Sequence, residues 1–242
     1  MHRKSTPEAL IRKLKDAPKR CDVFNPWWQR DQTNDASPDA PAVRRENLRR
    51  YLECRRDARL LILAEAVGYQ GGHFTGTAMT SERMLLGLRA DIGVLPEHIF
   101  PGAGGRTSRE DLRSGGFNEP TATVVWGHAL ARGLAPTAFV LWNIYPWHPF
   151  HPAKGMLSNR TPDASELERG GAFLREFLSA FHFEHILAVG NKSFETLAEL
   201  GIKTRRLRHP ANGGAKRFRA EFDDFLHEAG SGLGIAPGRL PA

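Results

Sequence analysis

Cysteine is nearly missing from this 242-residue chain: only Cys21 and Cys54 occur, 33 positions apart. Two thiols cannot supply a four-cysteine zinc or iron–sulfur site, and such sparse use fits a reducing compartment. An uninterrupted apolar run is missing too. The longest uncharged stretch, Pro136 to Ala153, contains Asn143 and three further prolines, so it cannot be a clean membrane span. The N-terminus is basic without an apolar h-region, which leaves no visible secretory signal and makes the cytoplasm the default. Neither a GxGxxG run nor the Lys of a P-loop follows the first apolar segment, which weakens a dinucleotide or triphosphate reading. No internal repeat is evident.

Cations, by contrast, are in excess: 34 Lys and Arg face 27 Asp and Glu, a formal charge of +7. A basic balance points toward a polyanion, with a merely basic surface as the alternative. The length suits one α/β domain with a modest N-terminal addition.

Three apolar β-like runs end in loops of Gly, Asn, Pro and His: LLILAEAVGYQGG (Leu60 to Gly72), FVLWNIYPWHP (Phe139 to Pro149) and LRHPANGG (Leu207 to Gly214). Ligands of open α/β sheets bind beyond the carboxyl ends of the strands, so these loops are expected to converge. Glu65, Asn143 and His209 would meet there. An acid ending a buried strand is costly unless hydrogen-bonded or functional, and Glu65 holding its own loop is the plain alternative. A buried Asn143 offers a donor and an acceptor, matching the adjacent carbonyl and N–H of a uracil edge, or else forms a turn. His209 precedes Pro210 among cations that include Arg208 and Lys216. His148 and His151 stand three apart, but no third ligand accompanies them, so no metal is expected.

Around these loops, helices are expected over Glu8 to Leu14, Val43 to Arg56, Thr80 to Ala90, Ser165 to Phe181 and a segment capped by Asn191. Leu48, Tyr51 and Leu52 would face inward, as would Met84, Leu85 and Leu88. The arginines from Arg44 to Arg59 read as a solvated basic face. Strands are expected over Arg59 to Ala66, Thr137 to Trp142, His185 to Val189 and Lys203 to Leu207, and a last helix carries Phe218, Phe222, Phe225 and Leu226 inward. Residues 101–118 read as a mobile loop, and Thr121 to Trp126 as either a strand or a helix start. Alternation of strands and helices predicts a parallel sheet covered on both faces. The expected division is an N-terminal helical extension (1–58), an α/β domain (59–228) and a frayed tail (229–242).

The order of motifs resembles the uracil-DNA glycosylase superfamily. Its members carry a first motif such as G-E-A-P-G or G-Q-D-P-Y, a central strand ending in Asn, and a late H-P-S motif. AEAVG (Ala64 to Gly68), LWN (Leu141 to Asn143) and HPANGG (His209 to Gly214) stand in those places, and GNKSFETL (Gly190 to Leu197) resembles the segment before the last motif. The resemblance spans about residues 58–228. It implies a three-layer α/β/α sandwich around a four-stranded parallel sheet, and a monomeric repair enzyme that excises uracil from DNA by base flipping without metal or cofactor. It implies that Asn143 reads the uracil edge and His209 stabilises charge on the uracil O2. Glu65 is the nearest candidate to activate water, because Ala66 stands where some members have Asp. Ala66, Gly68, Tyr69, Phe74 and Met79 would shape the base pocket, with Met79 or Phe74 stacking on the base. Ser81, Arg208, Ala211, Asn212, Gly213 and Lys216 would meet the DNA. Val67 replaces the usual proline, and the intercalating leucine is absent. The same fold acting on hypoxanthine or xanthine, or binding DNA without chemistry, are the alternatives.

Overall fold

The computed structural model describes residues 6–233 and 235. Helix α1 (Pro7–Lys13), strand β1 (Val23–Phe24) and helix α2 (Ala40–Glu53) precede strand β2 (Leu60–Ala66). Three one-turn helices follow: α3 (Gly72–Thr75), α4 (Glu82–Leu85) and α5 (Pro96–Ile99). Then come α6 (Pro120–Ala131), β3 (Phe139–Tyr145), β4 (His148–Pro149), α7 (Ala164–Ala180), β5 (His185–Val189), α8 (Asn191–Glu199), β6 (Arg205–Leu207) and α9 (Ala215–Ala229). The four-stranded sheet has the order β3-β2-β5-β6, all parallel, and β1 pairs antiparallel with β4.

Strand β2 lies inside the sheet and is apolar and buried from Leu60 to Ala64, as strands covered on both faces are. On β3, side chains alternate between faces. Trp142 stacks on Phe177 of α7, with ring centroids 4.5 Å apart, while Phe139 packs at 4.9 Å on Trp126 of α6. Helices therefore cover both faces, and the architecture is the expected three-layer α/β/α sandwich. Gly170 explains why α7 tolerates glycine mid-helix: a Cβ there would lie 2.5 Å from the Ile144 carbonyl oxygen of β3. Leu10, Ile11 and Leu14 of the N-terminal segment join the same buried cluster as the sheet.

Several local expectations are corrected. The helix expected over Thr80 to Ala90 shrinks to α4, because Gly87 takes φ +74° and turns the chain; Leu88 is exposed rather than inward. Residues 101–118 are pinned: the buried Glu82 carboxylate accepts the backbone N–H groups of Thr107, Ser108 and Phe117 and the Ser108 hydroxyl. Thr121 to Trp126 is helical, launched by Pro120 at the first turn. Asn191 begins α8 instead of capping it; the cap is Gly190. Of the tail, Gly230–Leu233 forms a 3₁₀ turn, and Leu233 and Ile235 are buried. The remainder, 234 and 236–242, lies outside the described residues.

The arginines of α2 are not a solvated face. Arg44, fully buried, pairs with Asp35 at 2.7 Å and donates to the carbonyls of Pro26 and Gln29 and to the Thr107 hydroxyl. Arg55, equally buried, donates to five backbone carbonyls, those of Tyr51, His98, Ile99, Pro136 and Phe139. Planar guanidinium donors can satisfy several oxygens at once, so these cations staple loops from within. Arg49 is paired with Glu46 and Glu53.

Candidate active site

Parallel strands bring their carboxyl ends to one side of the sheet, and a cavity of about 610 Å³ opens there. Its wall is built from the end of β2 (Ala64 to Gly68), Asn143 of β3, the β5–α8 turn (Val189 to Ser193) and the loop after β6 (Arg208, His209, Ala211, Asn212). Gln70, Met79, Glu119, Asn159 and Arg160 complete it. The acid, the amide and the imidazole expected to converge thus share one cavity.

Each is poised differently. Asn143, almost wholly buried, donates from Nδ2 to the Ala66 carbonyl at 2.9 Å, which fixes the amide. Its Oδ1 is buried without a partner. His209 Nδ1 accepts the Ala211 N–H at 3.1 Å, so the neutral ring carries its proton on Nε2, which has no protein acceptor. Burial, and then the Arg208 cation, push the His209 pKa down and favour that neutral form. Glu65 is pushed up by burial, with Lys192 acting against the shift, and its Oε1 is buried and unpartnered. Buried polar groups are nearly always satisfied in native proteins. Here Glu65 Oε1, Asn143 Oδ1, Glu119 Oε2, Arg160 Nε and Ser193 Oγ are five such orphans on one cavity wall. That concentration is what a polar ligand would relieve.

Gly190 makes room for the imidazole. It takes φ +91° and ψ 165°, a region open essentially only to glycine, and a Cβ there would lie 3.3 Å from the His209 Cβ. Gly190→Ala should therefore cost about 1–3 kcal/mol in denaturant unfolding and displace His209. An unchanged midpoint would show that the turn tolerates a side chain.

Other expected residues fall elsewhere. Ala66, Gly68 and Met79 line the cavity; Met79 is buried in a left-handed conformation, φ +44°, its carbonyl accepting the Trp126 indole N–H at 3.1 Å. Phe74 is not among the residues lining the cavity. It is fully buried, stacked on Phe117 at 4.2 Å and against His73, because the α3 turn points it into the protein. Tyr69 also lies off the lining, edge-on to Phe117, with its backbone N–H held by Asn159. Ser81 cannot meet DNA as it stands, since it is fully buried at the start of α4. Arg208, Ala211 and Asn212 lie on the wall, whereas Gly213 and Lys216 are exposed beyond it.

Beside the cavity runs a buried chain that sequence spacing did not suggest. His73 Nε2 meets Asp31 Oδ2 at 3.1 Å, His73 Nδ1 meets His148 Nδ1 at 2.9 Å, and His148 Nε2 meets the Ser158 carbonyl at 2.9 Å. His148 is thus tied to His73, while His151 is exposed. Among the described residues, no group of three or more His, Cys, Asp or Glu side chains is arranged to hold a metal ion.

No family model matches the chain, and no curated protein does. The arrangement of elements does find a likeness. A crystal structure of wild-type SMUG2 from Pedobacter heparinus aligns with a TM-score of 0.60, over 95% of this chain and 98% of that one. The chain has the SMUG2 fold. Sequence identity is 16%, so the likeness to SMUG2 is one of architecture alone. No helix of the described residues is long and apolar enough to cross a membrane.

Glu119, Gln70, Asn159, Arg160, Lys192 and Ser193 are among the lining residues that sequence reasoning missed. For Glu119 a signal existed: an acid directly before a helix-starting proline. Asn159 carried none, because only the folded 151–161 loop brings it near Gly68.

Proposed function

We propose that the chain is a monofunctional DNA glycosylase that hydrolyses the N-glycosidic bond of uracil in DNA. The observation that carries this reading is the pairing of a fixed acceptor, Asn143 Oδ1, with a fixed donor, His209 Nε2–H, on one cavity wall. A flipped uracil offers the matching set: a ring N–H for Asn143 and a carbonyl O2 for His209. As the bond to C1′ breaks, the electron pair moves onto the base and negative charge grows on O2. A preorganised donor there stabilises the transition state more than the ground state. The sugar, left as an oxocarbenium-like cation, is captured by water, with Glu65 taking the proton. Arg208 and the exposed Ala211 and Asn212 lie at the cavity rim, where a phosphodiester backbone would pass, and the +7 charge favours DNA.

Incubating the purified chain with uracil-containing oligonucleotides should give alkali-labile breaks at U and none at C or T. Intact U:G, U:A and single-stranded U after incubation with folded protein would overturn the proposal. Excision of hypoxanthine or xanthine instead would redirect it to another deaminated base.

A further inference from the structure

Glu119 has no part in the scheme above, yet its surroundings are the least explained in the cavity. Its Oε2 is buried, and the side chain makes no hydrogen bond and no ion pair. Room for it exists because position 71 is glycine: a Cβ on Gly71 would lie 1.7 Å from Glu119 Oε2. The same point is 3.3 Å from the Thr80 carbonyl oxygen, an acceptor. A carboxylate there would be buried with no cation or donor among the described residues to neutralise it. The cavity's other charged and titratable groups are Glu65, Arg160, Lys192, Arg208 and His209, and none of them pairs with Glu119. Burial alone pushes the Glu119 carboxyl up, to about 7. Two acids in one cavity are thereby separated by environment: Glu65 has Lys192 to favour its charge, and Glu119 has nothing.

We propose that Glu119 is the base-selecting residue of this cavity, its carboxyl O–H donating to an exocyclic carbonyl oxygen of the flipped base. Deamination replaces an amino group by a carbonyl, in uracil, hypoxanthine and xanthine alike. A carboxylic acid that donates toward that position rewards the deaminated base. The amino group of cytosine or adenine would meet it donor to donor, whereas guanine, which already carries a C6 carbonyl beside its ring N–H, is not turned away by this contact. A site built to hydrogen-bond a substrate group discriminates strongly because mismatch leaves buried partners unpaired. Asn143 contributes the acceptor for the adjacent ring N–H, and Glu119 the donor that makes the pattern specific for a carbonyl. This inference rests on the glycosylase reading but not on uracil as the particular base.

The test compares wild type, Glu119→Gln and Glu119→Ala in single-turnover excision from oligonucleotides carrying U, hypoxanthine or xanthine, with C, A and G as controls. Wild-type excision of the preferred base should fall as pH rises through about 7, when the donor is lost. Glu119→Gln keeps an N–H donor that does not titrate, so it should retain most of the rate and lose that alkaline limb. Glu119→Ala should lose roughly tenfold at neutral pH, the size of one hydrogen bond. An alkaline limb that persists in Glu119→Gln, or a Glu119→Ala variant as fast as wild type, overturns the inference. If hypoxanthine or xanthine is excised and uracil is not, the uracil reading fails while the Glu119 signature is read on that base. Infrared difference spectra between acid and alkaline wild type, set against Glu119→Gln, follow the carboxyl C=O band without turnover. Absence of a Glu119-dependent band overturns the inference even in an inactive protein. A band in a protein that excises no deaminated base overturns the selecting role.

Discussion

Alanine at His209 is expected to slow uracil excision by about 10²–10³-fold while leaving unfolding free energy nearly unchanged. The ring is half-buried and, among the described residues, its one side-chain hydrogen bond comes from the Ala211 amide, so little of the fold depends on it. Its expected work lies in the transition state, where charge on the departing base meets the Nε2–H. Asn143→Ala should be comparably slow, with a modest stability cost of about 1 kcal/mol for the lost bond to the Ala66 carbonyl. Single-turnover rates on a U:G duplex, paired with urea unfolding of each variant, separate the two effects. Near-wild-type rates in either variant would remove that residue from the mechanism. The wild-type profile should also fall on the acid side. There Glu65 gains a proton, and His209 Nδ1, once protonated, can no longer accept the Ala211 N–H. With the alkaline limb assigned to Glu119, the result is a bell-shaped dependence on pH.

Arg44→Ala should be among the most destabilising single changes in the molecule, at about 3–5 kcal/mol in urea unfolding. Removing one member of a buried ion pair leaves the other charge stranded, and Asp35 is as inaccessible as Arg44. The substitution also frees the carbonyls of Pro26 and Gln29 from their donor and the Thr107 hydroxyl from its partner. Combining it with Asp35→Ala should cost less than the two single changes added together, because no charge is then orphaned. A loss below about 1 kcal/mol, typical of an exposed pair, would mean that water reaches the site.

Much of the layered fold was legible because its signals are local. The run His185 to Val189 is a strand over those same residues, and Leu60–Ala66 differs from its expected bounds by one position. Continuous apolar runs between turn residues have few other solutions in an α/β chain. Asn143 and His209 were legible for a related reason, since strand ends are where parallel sheets gather ligands. What escaped depended on distant partners. Whether an arginine just after α2 faces water or five carbonyls is decided largely by segments more than forty residues away, as with Arg55 and Pro136. Phe74 had the right composition for a stacking residue, but Phe117 claims it. Glu119 became conspicuous only once Gly71 stood opposite it with no side chain of its own.

Three links join Asp31, His73, His148 and the Ser158 carbonyl, and each needs one hydrogen. Burial drives both imidazoles toward the neutral form, His148 down to about 3, so the two rings bring two hydrogens between them. Burial pushes Asp31 upward, but the hydrogen bonds from His73 and Asn34 outweigh it and hold the carboxyl at about 2. That anion takes the His73 Nε2–H. His73 Nδ1 is then an acceptor, and His148 has a single hydrogen for two suitors, His73 on one side and Ser158 on the other. Its tautomer decides whether β4 is tied inward to α3 or outward to the loop that carries Asn159 to the cavity wall. One hydrogen on the His148 ring thus serves one of the two links at a time, and moving it across the ring changes no net charge.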